Sequence, residues 1–291
     1  MIGEAGSAPS DKTLLAVALN GRVRLGSSEA AVFETFVVPR YMSMFGEIAL
    51  EMLVESEEAQ VVHLDCRTGY PDGAIAAKLP GAYLVGVDGS VAALELARAK
   101  AATIPDVVSQ YRLVTEWPVP LPDAAFSHAL LLHASGDASD RGQVIGECAR
   151  LLAANGQAVV AMPTRGSFQE IGDLLREFAL KTDDAALGDA VDSAEAGRPT
   201  IEAFGAELAI AGFDFVEVAL REEVLRFPSG RDFFEDPLAR LVILPEMRFQ
   251  LNLENRPGPL DYVREAIDAY WSEGDFELTV NVGCTTGRKV A

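Results

Sequence analysis

Three groups of polar residues each follow directly on a short apolar run, and there the chain could do chemistry. After VVHL (61–64) come Asp65, Cys66, Arg67, Thr68 and Gly69. YLVGVD (83–88) closes on Asp88, with Gly89 and Ser90 behind it, and FSHALLL (126–132) is followed by His133. A carboxylate at such a position can accept two hydrogen bonds at once. A histidine there can serve as a general base if a proton lies within reach, or act as a structural hydrogen-bonder. Arg67 beside Cys66 could lower the thiol's pKa, but no histidine–asparagine pattern supports a nucleophile, so Cys66 reads as a packing thiol. Gly69 and Gly73 also read as turn glycines, and Asp88-Gly89-Ser90 as helix-start chemistry. Neither metal-ligand spacing nor a Gly-Lys-Ser phosphate loop is present.

The elements that must position these groups alternate. Runs 61–65, 83–88, 111–115, 126–133 and 157–163 read as strands; the segments 73–79, 91–102 and 140–153 between them read as helices. Ser90 is placed to cap the second helix, and Asn155-Gly156 to stop the third. Near-continuous apolar strands separated by helices predict a parallel sheet covered on both faces, with right-handed crossovers. In such a sheet ligands bind beyond the carboxyl ends of the strands. The turns after Asp65, Asp88, Thr115 and His133 should therefore converge.

Ahead of this pattern, residues 1–28 read as a disordered tail and lead-in, and 29–56 as a helical cover that Pro39 should split in two. The α/β domain then spans 57–291. Within it, the acidic stretch 182–199 reads as a solvated loop or mobile lid. Residues 201–213 read as a helix and 214–222 as a strand. Residues 228–275 form an aromatic-rich helical insertion with a Pro-Gly-Pro break at 257–259, and 276–284 is a last strand. Phe227, Phe233, Phe234, Tyr262, Tyr270 and Trp271 either roof a pocket or form the core of that insertion.

Composition narrows the possible partners. The chain has 291 residues, 24 basic against 44 acidic, for a formal net charge of -20. That argues against a nucleic-acid binder and against docking on anionic lipid. No apolar run approaches the roughly 18 residues of a membrane span. Three cysteines without metal spacing read as free thiols, and the expected compartment is the cytoplasm.

The sequence resembles the class I S-adenosylmethionine-dependent methyltransferases, in their small-molecule branch. Four stretches within about residues 30–290 carry the resemblance: VVHLDCRTGYPDGAIA, LVGVDGSVAALELARAKA, VPLPDAAFSHALLLH and GECARLLAANGQAVVAMP. The resemblance implies an α/β, doubly wound three-layer sandwich. Its mostly parallel seven-stranded sheet has one antiparallel strand, for which 276–284 is well placed. S-adenosylmethionine is the implied cofactor, with Asp88 and Gly89 at its ribose. Asp65, Arg67, Thr68 and Gly69 would stand at its methionine end, Thr115 and Glu116 at its adenine, and His133 as the candidate base.

Several positions depart from the family's pattern. Its first loop reads acid-x-Gly-x-Gly-x-Gly; here His63 stands at the acid, Asp65 and Arg67 at the first two glycines, and Gly69 at the third. Ser127 replaces the Asp that follows Phe126 in the family's pattern, and Asn155 replaces a glycine before the fifth strand. Arg67 could reach the methionine pocket while Asp65 repels its carboxylate, or the two could pair across the crevice. The readings are therefore a methyltransferase acting on a small organic acceptor and a non-catalytic homologue that binds a protein partner or regulates. A dinucleotide oxidoreductase lacks its glycine fingerprint here.

Overall fold

The computed structural model describes residues 24–104 and 108–290. Of the expected disordered tail and lead-in at 1–28, residues 1–23 lie outside the described part, whereas Leu25 is buried and a helix begins at Ser27. Seven strands form one sheet: β1 (Gln60–Leu64), β2 (Tyr83–Asp88), β3 (Val108–Leu113), β4 (Phe126–Leu132), β5 (Leu152–Pro163), β6 (Phe213–Phe227) and β7 (Phe276–Lys289). Their spatial order is β3-β2-β1-β4-β5-β7-β6. The first five strands pair in parallel; β7 runs antiparallel to both β5 and β6. This is the doubly wound sheet with one reversed strand that the resemblance implied.

Alternate strand residues feed two cores. Val61, Leu84, Leu130 and Val159 pack toward the N-terminal helices α1 (Ser27–Val32) and α2 (Ser43–Met52), α3 (Asp72–Lys78) and α4 (Val91–Ala101). Val62, Val85, Leu131 and Val160 pack toward α5 (Ala138–Leu151). The strands are apolar on both faces because both faces are covered.

Four local expectations are corrected. Pro39 does not split the N-terminal run. Helices Ser27–Val32 and Ser43–Met52 are joined end to end by a widened turn over Phe33–Met42, with Pro39 inside it. A widened turn changes the local hydrogen-bond spacing, so the N–H that proline lacks does not end the helix. Asn155-Gly156 does not stop a helix: α5 ends at Leu151, and Asn155 lies within β5 at φ 63. The acidic stretch is mostly helix (Ala185–Gly197). Asp184 caps it by accepting from Leu187 N, Leu187 and Val191 are buried, and Arg176 of the preceding helix (Gln169–Thr182) binds Asp192 and Glu195. The Pro-Gly-Pro at 257–259 opens helix Pro257–Tyr270 rather than breaking one, since a proline in the first turn has no intrahelical bond to lose.

β6 and β7 are also longer than their apolar cores suggest. β5 ends where Pro163 pairs with Val282, but β7 continues against β6 back to Phe276. Residues 276–281 with 222–227 thus form a two-stranded ribbon projecting past the carboxyl edge of the sheet. The 228–275 segment hangs from its tip. Phe227, Phe233 and Phe276 are fully buried there and meet edge to face or tilted, with Trp271 against Phe276. Of the six aromatics, Phe227 and Phe233 are core, whereas Tyr270 is exposed.

Candidate active site

The loop after β1 holds a backbone shape that its side chains disfavour. Asp65 and Arg67 both sit at φ 49, and Gly69 at φ 76. Left-handed backbone costs a non-glycine residue about 1 kcal/mol. Only Gly69 is also held by space: a Cβ there would lie 2.9 Å from the Cβ of Ala97. Asn155, the third departure from glycine, is left-handed as well. At Asp65, Arg67 and Asn155 a non-glycine residue holds a backbone conformation that glycine favours.

Asp88 ties this loop to the next. Its Oδ2 accepts from Arg67 N at 3.1 Å and its Oδ1 from Ser90 N at 2.7 Å. Cys66 N donates to Val87 O at 3.0 Å. A carboxylate has about four acceptor sites, so each oxygen keeps capacity for a further donor. Burial pushes the Asp88 carboxyl above its ordinary range; Arg67 opposes this and Asp65 adds to it. Ser90 caps α4 through Ala93 N, as the sequence suggests.

The N-terminal run lies across these loops. Leu25 is buried, and its carbonyl accepts from Ser90 Oγ at 2.6 Å. The Arg67 guanidinium stands 5.9 Å from the Phe33 ring centroid. Glu34 pairs with Lys100 at 2.6 Å, and Lys100 also donates to Thr68 O at 3.0 Å. Gly46 is required because a Cβ would lie 2.4 Å from the ring of Tyr70. Tyr41, fully buried, meets His133 Nε2 through its hydroxyl at 2.7 Å, and the rings of Tyr41 and Phe45 pack edge-on to the imidazole. The structure thus brings Asp65, Arg67, Thr68, Gly69, Asp88, Gly89 and His133 to one edge of the sheet. Thr115 and Glu116 follow the end of β3 as exposed residues, because that strand ends at Leu113 rather than at 115.

A buried network beneath the loop is absent from the sequence reading. His63 Nδ1 lies 2.6 Å from Asp72 Oδ1, and the Tyr111 hydroxyl donates to Asp72 Oδ2 at 2.8 Å. The three residues come from β1, the start of a helix (Asp72–Lys78) and β3, so no local spacing announces them. The one available signal is His63 at the position of the family's acid. Burial and Asp72 together push the Tyr111 phenol up. Cys66 is buried beside them. Burial, then Asp88, Asp72 and Asp65, raise its thiol pKa well above the usual value, so Arg67 does not activate it. Ser127 bonds both backbone groups of Gln60 and the ring of His128, a structural task at the start of β4.

Residues 63–160 match the family model described as a methyltransferase domain. No curated protein sequence matches the chain. Among solved structures, a candidate methyltransferase of Bacillus halodurans superposes with a TM-score of 0.55 at 14% identity, covering 84% of this chain and 99% of that one. A candidate methyltransferase of Haloferax volcanii, solved in complex with the Trm112 methyltransferase activator, superposes with a TM-score of 0.51 at 16% identity, covering 91% and 97%. The fold is that of class I methyltransferases. The methyltransferase-domain match runs from β1 into β5, over the part of the sheet that holds the loops described above.

Proposed function

We propose that the chain binds S-adenosylmethionine at the carboxyl edge of β1 and β2 and methylates a small organic acceptor. The observation that carries this reading is the left-handed backbone at Asp65 and Arg67. Backbone strain of this kind persists where surrounding structure enforces it, and it clusters at ligand-binding sites. The loop backbone at 65–69 would take the methionine end, with Arg67 toward its carboxylate. Asp88 would accept from the ribose hydroxyls through its remaining lone pairs, with Gly89 allowing close approach, and Thr115 and Glu116 would meet the adenine edge. When bound, the cofactor supplies an already activated methyl group, so the protein's main task is to align the acceptor. His133, held by Tyr41, is the candidate to receive an acceptor proton. The charge of -20 fits a small acceptor better than nucleic acid, and three buried free thiols fit a cytoplasmic setting.

A second reading, a non-catalytic binding or regulatory module, is favoured by one contact. The Leu25 carbonyl already holds Ser90 beside Asp88, as a covered crevice would. Calorimetric titration with S-adenosylmethionine and S-adenosylhomocysteine separates the two. The cofactor reading expects micromolar binding that Asp88→Ala abolishes while the fold, followed by circular dichroism, remains. No binding at millimolar cofactor would leave the second reading.

A further inference from the structure

Two buried arginines line the same region and behave oppositely. Arg141 donates to both oxygens of Glu207 at 2.6 Å and to the carbonyls of Ser135, Gly136 and Gly197. Its hydrogen-bonding capacity is committed to holding the chain together. Arg198 is also buried, its side chain 7% exposed against 1% for Arg141, but among the described residues its guanidinium reaches no acceptor within hydrogen-bond distance. The nearest carboxylate oxygen, Glu246 Oε1, is 3.6 Å away and accepts from Gln250 Nε2 at 3.0 Å instead. The face of the guanidinium rests 5.3 Å from the Phe168 ring centroid. A guanidinium carries five N–H donors, and burying it unpaired is unfavourable unless an anion arrives.

Beside a cleft of about 290 Å³, near the lower end of small-molecule sites, Arg198 borders a narrower one of about 30 Å³. Phe168, Leu175, Val191, Met247 and Leu251 give it apolar walls. The larger cleft adjoins it, sharing Ala194 and Gln250, and reaches Gly136 and Asp137. Those two residues follow His133 in the turn after β4, and Phe168 follows β5, so the cleft lies on the same edge of the sheet as the proposed cofactor crevice. The helix at Leu244–Gln250, part of the segment carried on the β6–β7 ribbon, closes it from the other side.

We infer that the two adjoining clefts together bind a small apolar carboxylic acid, with Arg198 as the anchor for its carboxylate. Apolar walls take the hydrocarbon body, and the planar guanidinium matches a carboxylate through paired N–H donors. As the acceptor class of the enzyme, this assignment rests on the methyltransferase reading; as a binding site it stands on the cleft and Arg198 alone.

The test titrates the full chain with matched acids and uncharged amides: 3-phenylpropionate against 3-phenylpropanamide, and octanoate against octanamide. At least one acid binds about tenfold or more tighter than its amide. Arg198→Gln removes that preference, and Met247→Trp, which fills the cleft, removes binding of both members of the pair. Glu246→Gln, which removes the carboxylate 3.6 Å from the Arg198 guanidinium, tightens acid binding and leaves amide binding unchanged, and so tests the site even if Arg198→Gln fails to fold. Equal affinity of acid and amide, no binding in either pair, or a preference that survives Arg198→Gln overturns the inference. S-adenosylhomocysteine is titrated alongside. Cofactor binding without acid binding defeats this site alone, whereas acid binding without cofactor binding defeats the proposed function alone.

Discussion

The hydroxyl of Tyr41 and Nε2 of His133 are 2.7 Å apart, and this contact joins the N-terminal helical run to the end of β4. Both side chains are buried, so removing one partner loses a hydrogen bond made away from water. Tyr41→Phe should lower unfolding free energy by about 1–2 kcal/mol, measured by urea denaturation. An unchanged midpoint would mean that the bond contributes nothing to holding the run in place.

Asp65 stands at a glycine position of the proposed methionine site, where its charge opposes a bound carboxylate. Asp65→Gly removes the charge and supplies the residue that the left-handed backbone favours. The dissociation constant for S-adenosylhomocysteine should fall about threefold or more at low salt, and less at high salt. A weaker complex would assign Asp65 a direct role in holding the ligand.

The contrast between Arg141 and Arg198 extends to stability. Arg141→Met breaks a pair whose arginine is buried and should cost about 2–3 kcal/mol, less than a fully enclosed pair because Glu207 is partly solvated. Arg198→Met removes a buried cation whose nearest carboxylate is 3.6 Å away, beyond hydrogen-bond distance, and should change stability by less than about 1 kcal/mol or raise it. Equal losses in chemical denaturation would make Arg198 a structural residue.

All three cysteines are buried and free. Burial raises each thiol's pKa, that of Cys148 to about 12. The native protein at pH 8 should therefore leave a disulfide reagent such as DTNB nearly unreacted, and release three thiols per chain only on denaturation. Rapid reaction of one thiol in the native state would show that the Cys66 pocket opens.

Glu177 accepts from Lys181, Tyr270 and Tyr262, which hold its carboxyl down at about 2 against an ordinary 4.5. A depressed carboxyl stabilises the fold above its unfolded-state value, and that contribution is lost as pH falls from about 4.5 through about 2. The urea midpoint of Glu177→Gln should fall less steeply than wild type across that window. Because the group is at the surface, added salt should shrink the difference. Parallel slopes at low salt would argue that the cluster does not form in solution.

What could be read from the sequence divides by range. β1, β2, β4 and β5 are continuous apolar runs because they lie mid-sheet under helices on both faces. β6 is an edge strand with charged residues along much of its length, so only part of it carries a strand signal. The Ala185–Gly197 helix was hidden for a related reason. Its composition is acidic, and the arginine that gathers its carboxylates, Arg176, belongs to the helix before it. At the site, the loop and Asp88 were legible as motif positions. The His63–Asp72–Tyr111 network and Arg198 were not, because each is assembled by tertiary packing from distant elements.

The placement of β7 between β5 and β6 constrains the order in which the molecule can assemble. β6 precedes β7 in the chain yet has no place in the sheet until β7 has docked on β5. The whole 228–275 segment must therefore be closed as a loop before the final edge forms. Until then the outer side of β5 is an open pairing edge, a template for the wrong partner. Refolding should accordingly be slowest, and aggregation most concentration-dependent, at this side of the sheet.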